Sequence, residues 1–169
     1  MDRSFIETKI LADNDGAITA LAWPFGSPDR VGDMITKGAF ASAKLPIPML
    51  FGHDANDPIG VWDGAEERDD GLHLKGRLLV GELARAREVQ ALVRAGAVRG
   101  ISIGFVTLKA LPRPPRGRSI SSLDLLEASL VTLPCHPGAR VTAAKDAVSA
   151  LRLAAAIQRA AAHLSIGKA

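Results

Sequence analysis

Three side chains in this sequence have the types that nucleophilic acyl transfer requires, namely Ser102, His53 and Glu127. A serine hydroxyl is a weak nucleophile until a base accepts its proton, and histidine is suited to that near neutral pH. A carboxylate can hold the second ring nitrogen and so fix the tautomer and orientation of the imidazole. The three residues are far apart along the chain, so only the fold can bring them together.

The serine lies in the run 100–105, which is rich in β-branched and aromatic residues and therefore predicts a strand. Alternation places the two isoleucines and Phe105 on one face and Ser102 and Gly104 on the other. Glycines beside a hydroxyl leave the space that an approaching backbone needs. The plainer interpretation is a small residue that fills a tight sheet face, and an isolated serine would favour it.

The histidine and the glutamate each lie in a further apolar run, 47–53 and 125–134, and both runs read as strands. Alternation puts three residues of each run on one face: Met49, Phe51 and His53 in the first, Glu127, Ser129 and Val131 in the second. Three strands that each carry one such side chain favour the site over the plainer interpretation.

An acyl-transfer site also needs donors for the oxyanion of the tetrahedral intermediate. The candidates next to Ser102 are the backbone N–H groups of Ile103 or Gly104 and the side chain of Arg99.

The amino-acid composition limits the other functions that the chain could have. The chain has 169 residues, 47% of them hydrophobic and 23% charged, which is ordinary for a soluble domain with a full core. Aromatic residues are only 4% and tyrosine is absent, so base-stacking platforms for nucleic acids are not expected. The net charge of +3 is too small to argue for DNA binding. We expect no signal peptide and no membrane span, since the start of the chain has no apolar core and the Ala-rich tail is interrupted by arginines.

Other chemistry is less well supported. A single cysteine, Cys135, excludes an internal disulfide and fits a reducing compartment. Its neighbour His136 points to the opposite face of an extended chain, so the two do not form a Cys–His pair. A metal hydrolase could use as ligands His53, Asp54, His73 or His136. No H-E-x-x-H motif and no tight Cys/His spacing supports a metal or another cofactor. His73 alternates with leucines and remains a spare candidate for the triad.

The remaining sequence predicts many short strands and two helices. Residues 5–12 and 17–23 form a predicted hairpin with a turn at 14–16, and 59–62 and 71–78 read as further strands. An acidic cluster at 66–70 predicts a solvated turn, and residues 35–43 a short helical turn. The apolar stripe in 82–95 predicts a helix that ends before Gly96.

The segments after the serine strand differ in kind. Residues 111–118 contain three prolines and predict an irregular basic loop. From residue 143 the composition becomes helical, with an apolar stripe of Leu153, Ile157, Ala160 and Leu164 and a basic one of Lys145, Arg152 and Arg159. We therefore predict a domain at 1–142 and an amphipathic tail at 143–169. The fold class is mainly β with flanking helices (α+β): a closed antiparallel barrel of about six or seven strands.

The ordered set of motifs resembles a known family. A histidine strand, a helix, G-x-S-I-G-F at 100–105 and L-x-E-x-S-L-V-x-x-P at 125–134 occur together, with matching residues at 26–33 and 38–40. This order is similar to that of the prohead (capsid maturation) proteases of HK97-type tailed phages, over roughly residues 5–142. Those enzymes share the β-barrel of the herpesvirus assemblins.

The resemblance implies a serine endopeptidase in which His53 is the general base, Ser102 the nucleophile and Glu127 the third triad member; the assemblins use a second histidine there. It implies that the enzyme cleaves the major capsid protein or scaffold segments, and itself, inside a prohead in the host cytoplasm. It also implies a homodimer or larger assembly. A catalytically silent barrel that acts as a capsid-assembly chaperone is the alternative of a different class. The tail could pack on the barrel, join protomers, or dock and deliver the protein.

Overall fold

A computed structural model describes residues 16–144 of the chain. This part contains eight strands and one helix. The strands are β1 (Ala17–Pro24), β2 (Met34–Ile35), β3 (Ile47–Phe51), β4 (Pro58–Glu67), β5 (Gly71–Leu78), β6 (Gly100–Pro112), β7 (Arg118–Val131) and β8 (Arg140–Ala144), and the helix is α1 (Ala84–Arg94).

Seven of the strands close into a barrel. Their order is β7-β3-β4-β5-β1-β8-β6, and β6 pairs again with β7. The short β2 is an additional strand on β7. This confirms the predicted mainly β architecture with a closed barrel of about six or seven strands. The pairing is mixed, because β3 and β2 run parallel to β7 while every other pair is antiparallel.

The barrel interior is filled by alternate side chains of its strands. In β6, Ile101 and Ile103 are buried in the core, and in β7 Ala128 and Leu130 lie directly opposite them. The largest buried side chain is Trp62 of β4, whose indole N–H donates to the Ala128 carbonyl oxygen at 2.9 Å. The other faces of β6 and β7 are therefore the ones on which Ser102 and Glu127 lie.

The helix confirms the sequence prediction closely. It buries Ala86, Val89, Gln90 and Val93, which recur at helical spacing. Gly96 follows in the left-handed region with φ 73°, and its N–H donates to the carbonyl of Val93 at 3.0 Å. A glycine there adopts this conformation without the steric cost of a Cβ, so the chain turns sharply towards β6. No helix among residues 16–144 is long and apolar enough to span a membrane.

Several predicted boundaries are wrong in detail. Strand β3 ends at Phe51, so His53 is not on a strand face but in the turn that follows. Strand β4 continues through Glu67, which leaves only 68–70 as the turn to β5. Ile35 belongs to the unpredicted strand β2, and the short helical turn predicted at 35–43 is a series of hydrogen-bonded turns at 36–43.

The proline-rich segment is also more regular than predicted. Strand β6 extends through Pro112 and β7 starts at Arg118, so the irregular part is confined to 113–117. The Arg113 N–H donates to the carbonyl of Gly117 at 2.9 Å and closes a hairpin. Proline is tolerated here because it lies at the last pair of the ladder, where a missing donor has little effect.

Two predicted segments fall outside the described residues. These are the strand at 5–12 and the amphipathic helix from residue 145 onwards. Strand β8 runs to Ala144, so residues 143–144, which were assigned to the tail, pair with β1 in the barrel. The division into a barrel domain and a tail stays a prediction.

An ion pair fixes the register of the parallel strand β2. Asp33 directly precedes β2, and its buried carboxylate accepts hydrogen bonds from the backbone N–H of Arg118 at 2.8 Å and from the Arg118 Nε at 3.1 Å. Arg118 is the first residue of β7, next to Ser119, which pairs with Met34. The guanidinium lowers the pKa of Asp33 below its usual value of 3.8.

We predict that Asp33→Asn lowers the free energy of unfolding by about 1.5–3 kcal/mol near neutral pH, since hydrogen bonds to charged groups contribute about that much. The pKa of Asp33 is lowered by folding, so its contribution is present above the unfolded value and is lost as the pH falls through the folded one. Urea denaturation at a series of pH values measures both effects, and the two proteins should converge in acid.

Asp69→Asn is the matched control. Asp69 pairs with Lys37 at 2.6 Å, but its side chain is fully exposed and solvent screens the pair, so this substitution should change the free energy of unfolding much less than Asp33→Asn does. Equal destabilisation by the two substitutions would show that the Asp33 contact does not hold β2 in place.

Candidate active site

His53 lies in a tight turn at the end of β3. Gly52 and His53 both adopt left-handed backbone conformations, with φ 65° and 63°. His53 is the one residue other than glycine with positive φ in residues 16–144. Such a conformation costs of order 1 kcal/mol for a residue with a Cβ and persists only where neighbours impose it. The Gly52 N–H donates to the Leu130 carbonyl at 3.0 Å, which ties the turn to β7.

The His53 ring contacts Glu127. Its Nδ1 lies 2.7 Å from Glu127 Oε1, and because a carboxylate only accepts, the ring nitrogen donates. The neutral imidazole then carries no proton on Nε2, which is left as the basic atom. The histidine side chain is 43% exposed and that of Glu127 only 13%. The acceptor is therefore shielded while the ring itself remains accessible.

The second carboxylate oxygen of Glu127 is bound by Ser129. The Ser129 hydroxyl donates to Oε2 at 2.6 Å and accepts the backbone N–H of His53 at 3.1 Å. Ser129 is completely buried. The sequence places Ser129 on the face of Glu127 but assigns it no role. The available signal was its position two residues after Glu127, between the apolar neighbours Ala128 and Leu130.

Ser102 lies on the neighbouring strand, directly opposite Ser129 in the antiparallel β6–β7 pair. Directly opposite residues project to the same face, so the Ser102 side chain shares the face of Ser129 and Glu127. Gly104 is opposite Glu127, and a Cβ there would lie 2.3 Å from Glu127 Oε1. The carboxylate therefore passes over Gly104 because this residue has no side chain. The fold brings all three predicted residues to one end of the β6–β7 pair.

The oxyanion candidates are distinguished by the strand pairing. The Ile101 N–H points away from β7, to the carbonyl of Ala139 at 3.5 Å. By alternation the Ile103 N–H also points away from β7, while that of Gly104 points towards it. Strand β8 pairs with β6 only at Gly100, so in the described part of the chain no strand pairs with Ile103 along this edge. Arg99 is exposed at the start of β6.

A small cavity of about 50 Å³ adjoins this edge. Ser102, Ile103 and Phe105 contribute to its lining, as do Trp23 and His136. The Nε1 of Trp23 is buried, and it has no hydrogen-bond partner among residues 16–144. Polar and aromatic side chains therefore lie beside strand β6 on the side away from β7.

The other histidines have separate partners. His73 contacts Asp70 of its own hairpin at 2.8 Å. His136 is buried; its Nε2–H donates to the Ser27 carbonyl at 3.1 Å and its Nδ1 accepts the Gly138 N–H at 3.1 Å. No group of three or more metal-ligating side chains occurs in residues 16–144.

Cys135 is placed as a structural thiol. Its Sγ donates to Asp29 Oδ2 at 3.2 Å. Burial and the neighbouring carboxylate raise the pKa of this thiol above its usual value. A protonated thiol is a poor nucleophile, so the geometry agrees with the expectation that Cys135 and His136 form no catalytic pair.

The barrel is that of the herpesvirus proteases. The structure of KSHV protease in complex with a hexapeptide phosphonate inhibitor matches with a TM-score of 0.53, over 76% of this chain and 64% of that one, at 14% identity. This likeness concerns the fold, and it confirms the predicted type of barrel.

The chain itself belongs to the Caudovirus prohead serine protease family, whose sequence model matches residues 4–153. It is 32% identical to the prohead protease of Enterobacteria phage HK97, over 88% of this chain and 71% of that protein. It is 35% identical to the capsid polyprotein of Pseudomonas phage PAJU2, of which it covers 22%, and 30% identical to the prohead protease of Escherichia phage T5, of which it covers 59%. The protein is therefore a serine peptidase of phage capsid maturation, as the sequence predicted.

We predict that Gly104→Ala lowers the rate of peptide cleavage by about 100-fold, the effect expected when a functional group is displaced by about 1 Å. The new methyl group would overlap the end of the Glu127 side chain and push it off His53. The end of a flexible side chain can move, so the melting temperature should change little. Steady-state kinetics and thermal denaturation measure the two effects.

Gly81→Ala is the control, because a Cβ at Gly81 meets nothing within 4 Å. This variant should cleave at the rate of the unmodified protein. Full activity of Gly104→Ala would mean that the position of the Glu127 carboxylate does not matter for cleavage.

Proposed function

We propose that Ser102, His53 and Glu127 form the catalytic triad of this peptidase. The observation that carries the proposal is the 2.7 Å contact between His53 Nδ1 and Glu127 Oε1, on the same sheet face as the hydroxyl of Ser102. An imidazole whose Nδ1 is bound to a shielded carboxylate has Nε2 free as a base. Glu127 then takes the position that a second histidine occupies in the assemblins.

The reaction follows from these roles. The Ser102 Oγ attacks the scissile carbonyl carbon while His53 Nε2 takes its proton, and the imidazolium that forms is stabilised by Glu127. The oxyanion accepts a hydrogen bond from the Ile103 N–H, which faces the unpaired edge of β6. His53 then protonates the leaving amine, and an acyl ester on Ser102 remains. Water, deprotonated by His53, hydrolyses this ester and restores the serine.

The surroundings of the triad suit this chemistry. Ser102 is only 8% exposed, so its hydroxyl is largely removed from solvent. His53 is the most exposed of the three and lies in a turn, where it is reached from outside the barrel. Shielding from water strengthens the attraction between the Glu127 carboxylate and the imidazolium, because the effective dielectric constant is lower there.

The substrate that we infer is the capsid protein of the phage. Two relatives carry the name prohead protease, and a region of a capsid polyprotein is similar to this chain. A protease encoded in one chain with a capsid protein is synthesised in equal amount with it and next to it. Cleavage of capsid or scaffold segments, and of the protease itself, inside the assembling prohead is the activity that fits. Self-association into a homodimer stays a prediction of the resemblance.

A catalytically silent barrel that acts as a capsid-assembly chaperone is not favoured. Such a protein has no need for a histidine held in left-handed backbone geometry against a shielded carboxylate. Strained backbone conformations at functional residues are typical of active sites.

We predict that Ser102→Ala lowers the cleavage of capsid protein by at least about 10⁴-fold, and that His53→Ala has a similar effect, because triad members act as a unit. Gel analysis of purified capsid protein incubated with each variant measures the loss. The melting temperature of Ser102→Ala should stay close to that of the unmodified protein, since the hydroxyl makes none of the barrel contacts described above.

Cleavage in the presence of EDTA is the control for metal-dependent hydrolysis, and it should proceed at the full rate. Undiminished cleavage by Ser102→Ala would overturn the assignment of the nucleophile. Complete loss of cleavage in EDTA would restore the metal-hydrolase hypothesis.

A further inference from the structure

We propose that Ser129 is a positioning residue of this active site: its hydroxyl holds both the Glu127 carboxylate and the His53 turn in their working geometry. This inference rests on the proposed triad and adds a fourth side chain to it. Ser129 does not touch the reacting atoms in this scheme, so its contribution passes through Glu127 and His53.

The direction of each hydrogen bond at Ser129 is forced by its partners. A hydroxyl has one proton to donate and lone pairs to accept with. The carboxylate oxygen Oε2 of Glu127 can only accept, and the backbone N–H of His53 can only donate. The single proton of Ser129 therefore points to Glu127, and a lone pair points to the histidine turn. No rotation of the hydroxyl satisfies both partners in another way.

This arrangement fixes the rotation of the carboxylate. With Oε2 bound by Ser129 at 2.6 Å, Oε1 is directed to His53 at 2.7 Å. Without Ser129, the carboxylate can rotate about its last bond, and its oxygens can exchange or turn to solvent. Because Ser129 and His53 each bind one oxygen of the Glu127 carboxylate, a single orientation of the imidazole is favoured.

The same hydroxyl supports the strained turn. The His53 N–H belongs to a residue with φ 63°, and Ser129 is completely buried where it accepts that N–H. A donor that loses its partner away from water is destabilising, so loss of the hydroxyl weakens the turn as well as the hold on the carboxylate. The two effects converge on the position of the imidazole relative to Ser102.

The location of Ser129 makes it a clean target for mutation. It lies opposite Ser102 on the adjacent strand, and its neighbours in β7 are the core residues Ala128 and Leu130. An alanine at this position removes one oxygen and adds no volume. The barrel packing and the chain that carries the nucleophile are left unchanged.

The test is the steady-state kinetics of Ser129→Ala on a peptide substrate. We expect kcat to fall by about 10- to 100-fold, as for other partners that orient a functional side chain, with little change in KM. The low-field proton resonance of the His53 Nδ1–H, identified by its loss in His53→Ala, should shift or broaden. Ser42→Ala is the control: it removes a hydroxyl that donates to the Leu123 carbonyl at 2.8 Å, and kcat should not change.

A double-mutant cycle separates positioning from a general loss of structure. In a Glu127→Ala background, where the carboxylate is gone, Ser129→Ala should lower the residual kcat several-fold less than it does in the unmodified protein, because only the support of the His53 turn is then lost. If the two effects multiply in full, Ser129 acts independently of Glu127 and the proposal is wrong. An unchanged kcat in Ser129→Ala would also overturn it. Full activity of Ser102→Ala, in contrast, would mean that the triad assignment itself had failed.

Discussion

The site depends on one strand whose two edges are paired differently. Strand β7 pairs antiparallel with β6 on one edge and parallel with β3 on the other. The antiparallel register sets Ser102 opposite Ser129 and Gly104 opposite Glu127. The parallel pair ends at Phe51, opposite Leu130, and the turn that follows brings the His53 ring to the Glu127 carboxylate. A shift of the β6–β7 register by one residue would move Ser102 or Glu127 to the core face.

Polar groups of β7 hold the strained backbone of the His53 turn in place. The left-handed backbone of His53 is held by hydrogen bonds from Gly52 and His53 to β7, one to a carbonyl and one to the Ser129 hydroxyl. On a regular strand, a histidine side chain would project roughly perpendicular to the sheet. Placement in a turn lets the ring reach Glu127, with Nδ1 2.7 Å from Oε1. The barrel supplies the rigidity that this geometry requires.

Local sequence patterns predicted much of this, and the limits of the prediction have physical causes. The strand at Ser102, the helix and its Gly96 end follow from periodicity and from glycine conformation, which are local properties. The parallel pairing of β3 with β7 was not predicted, because no local pattern reports which strands meet. His53 was assigned to the strand because its alternation with Phe51 continues, although Gly52 has already reversed the chain. Ser129 was visible as a polar residue between Ala128 and Leu130, but one of its two partners, the His53 N–H, lies on a different element.

The central claim is that Ser102 is activated by His53 in the folded barrel, and reaction with a fluorophosphonate tests it most directly. The Ser102 Oγ should displace fluoride from phosphorus and form a stable ester, which peptide mass spectrometry can map. We predict a single adduct on Ser102 in the native protein, at a rate that falls sharply in His53→Ala. An adduct on another residue, or cleavage of capsid protein that continues without any adduct, would contradict this account.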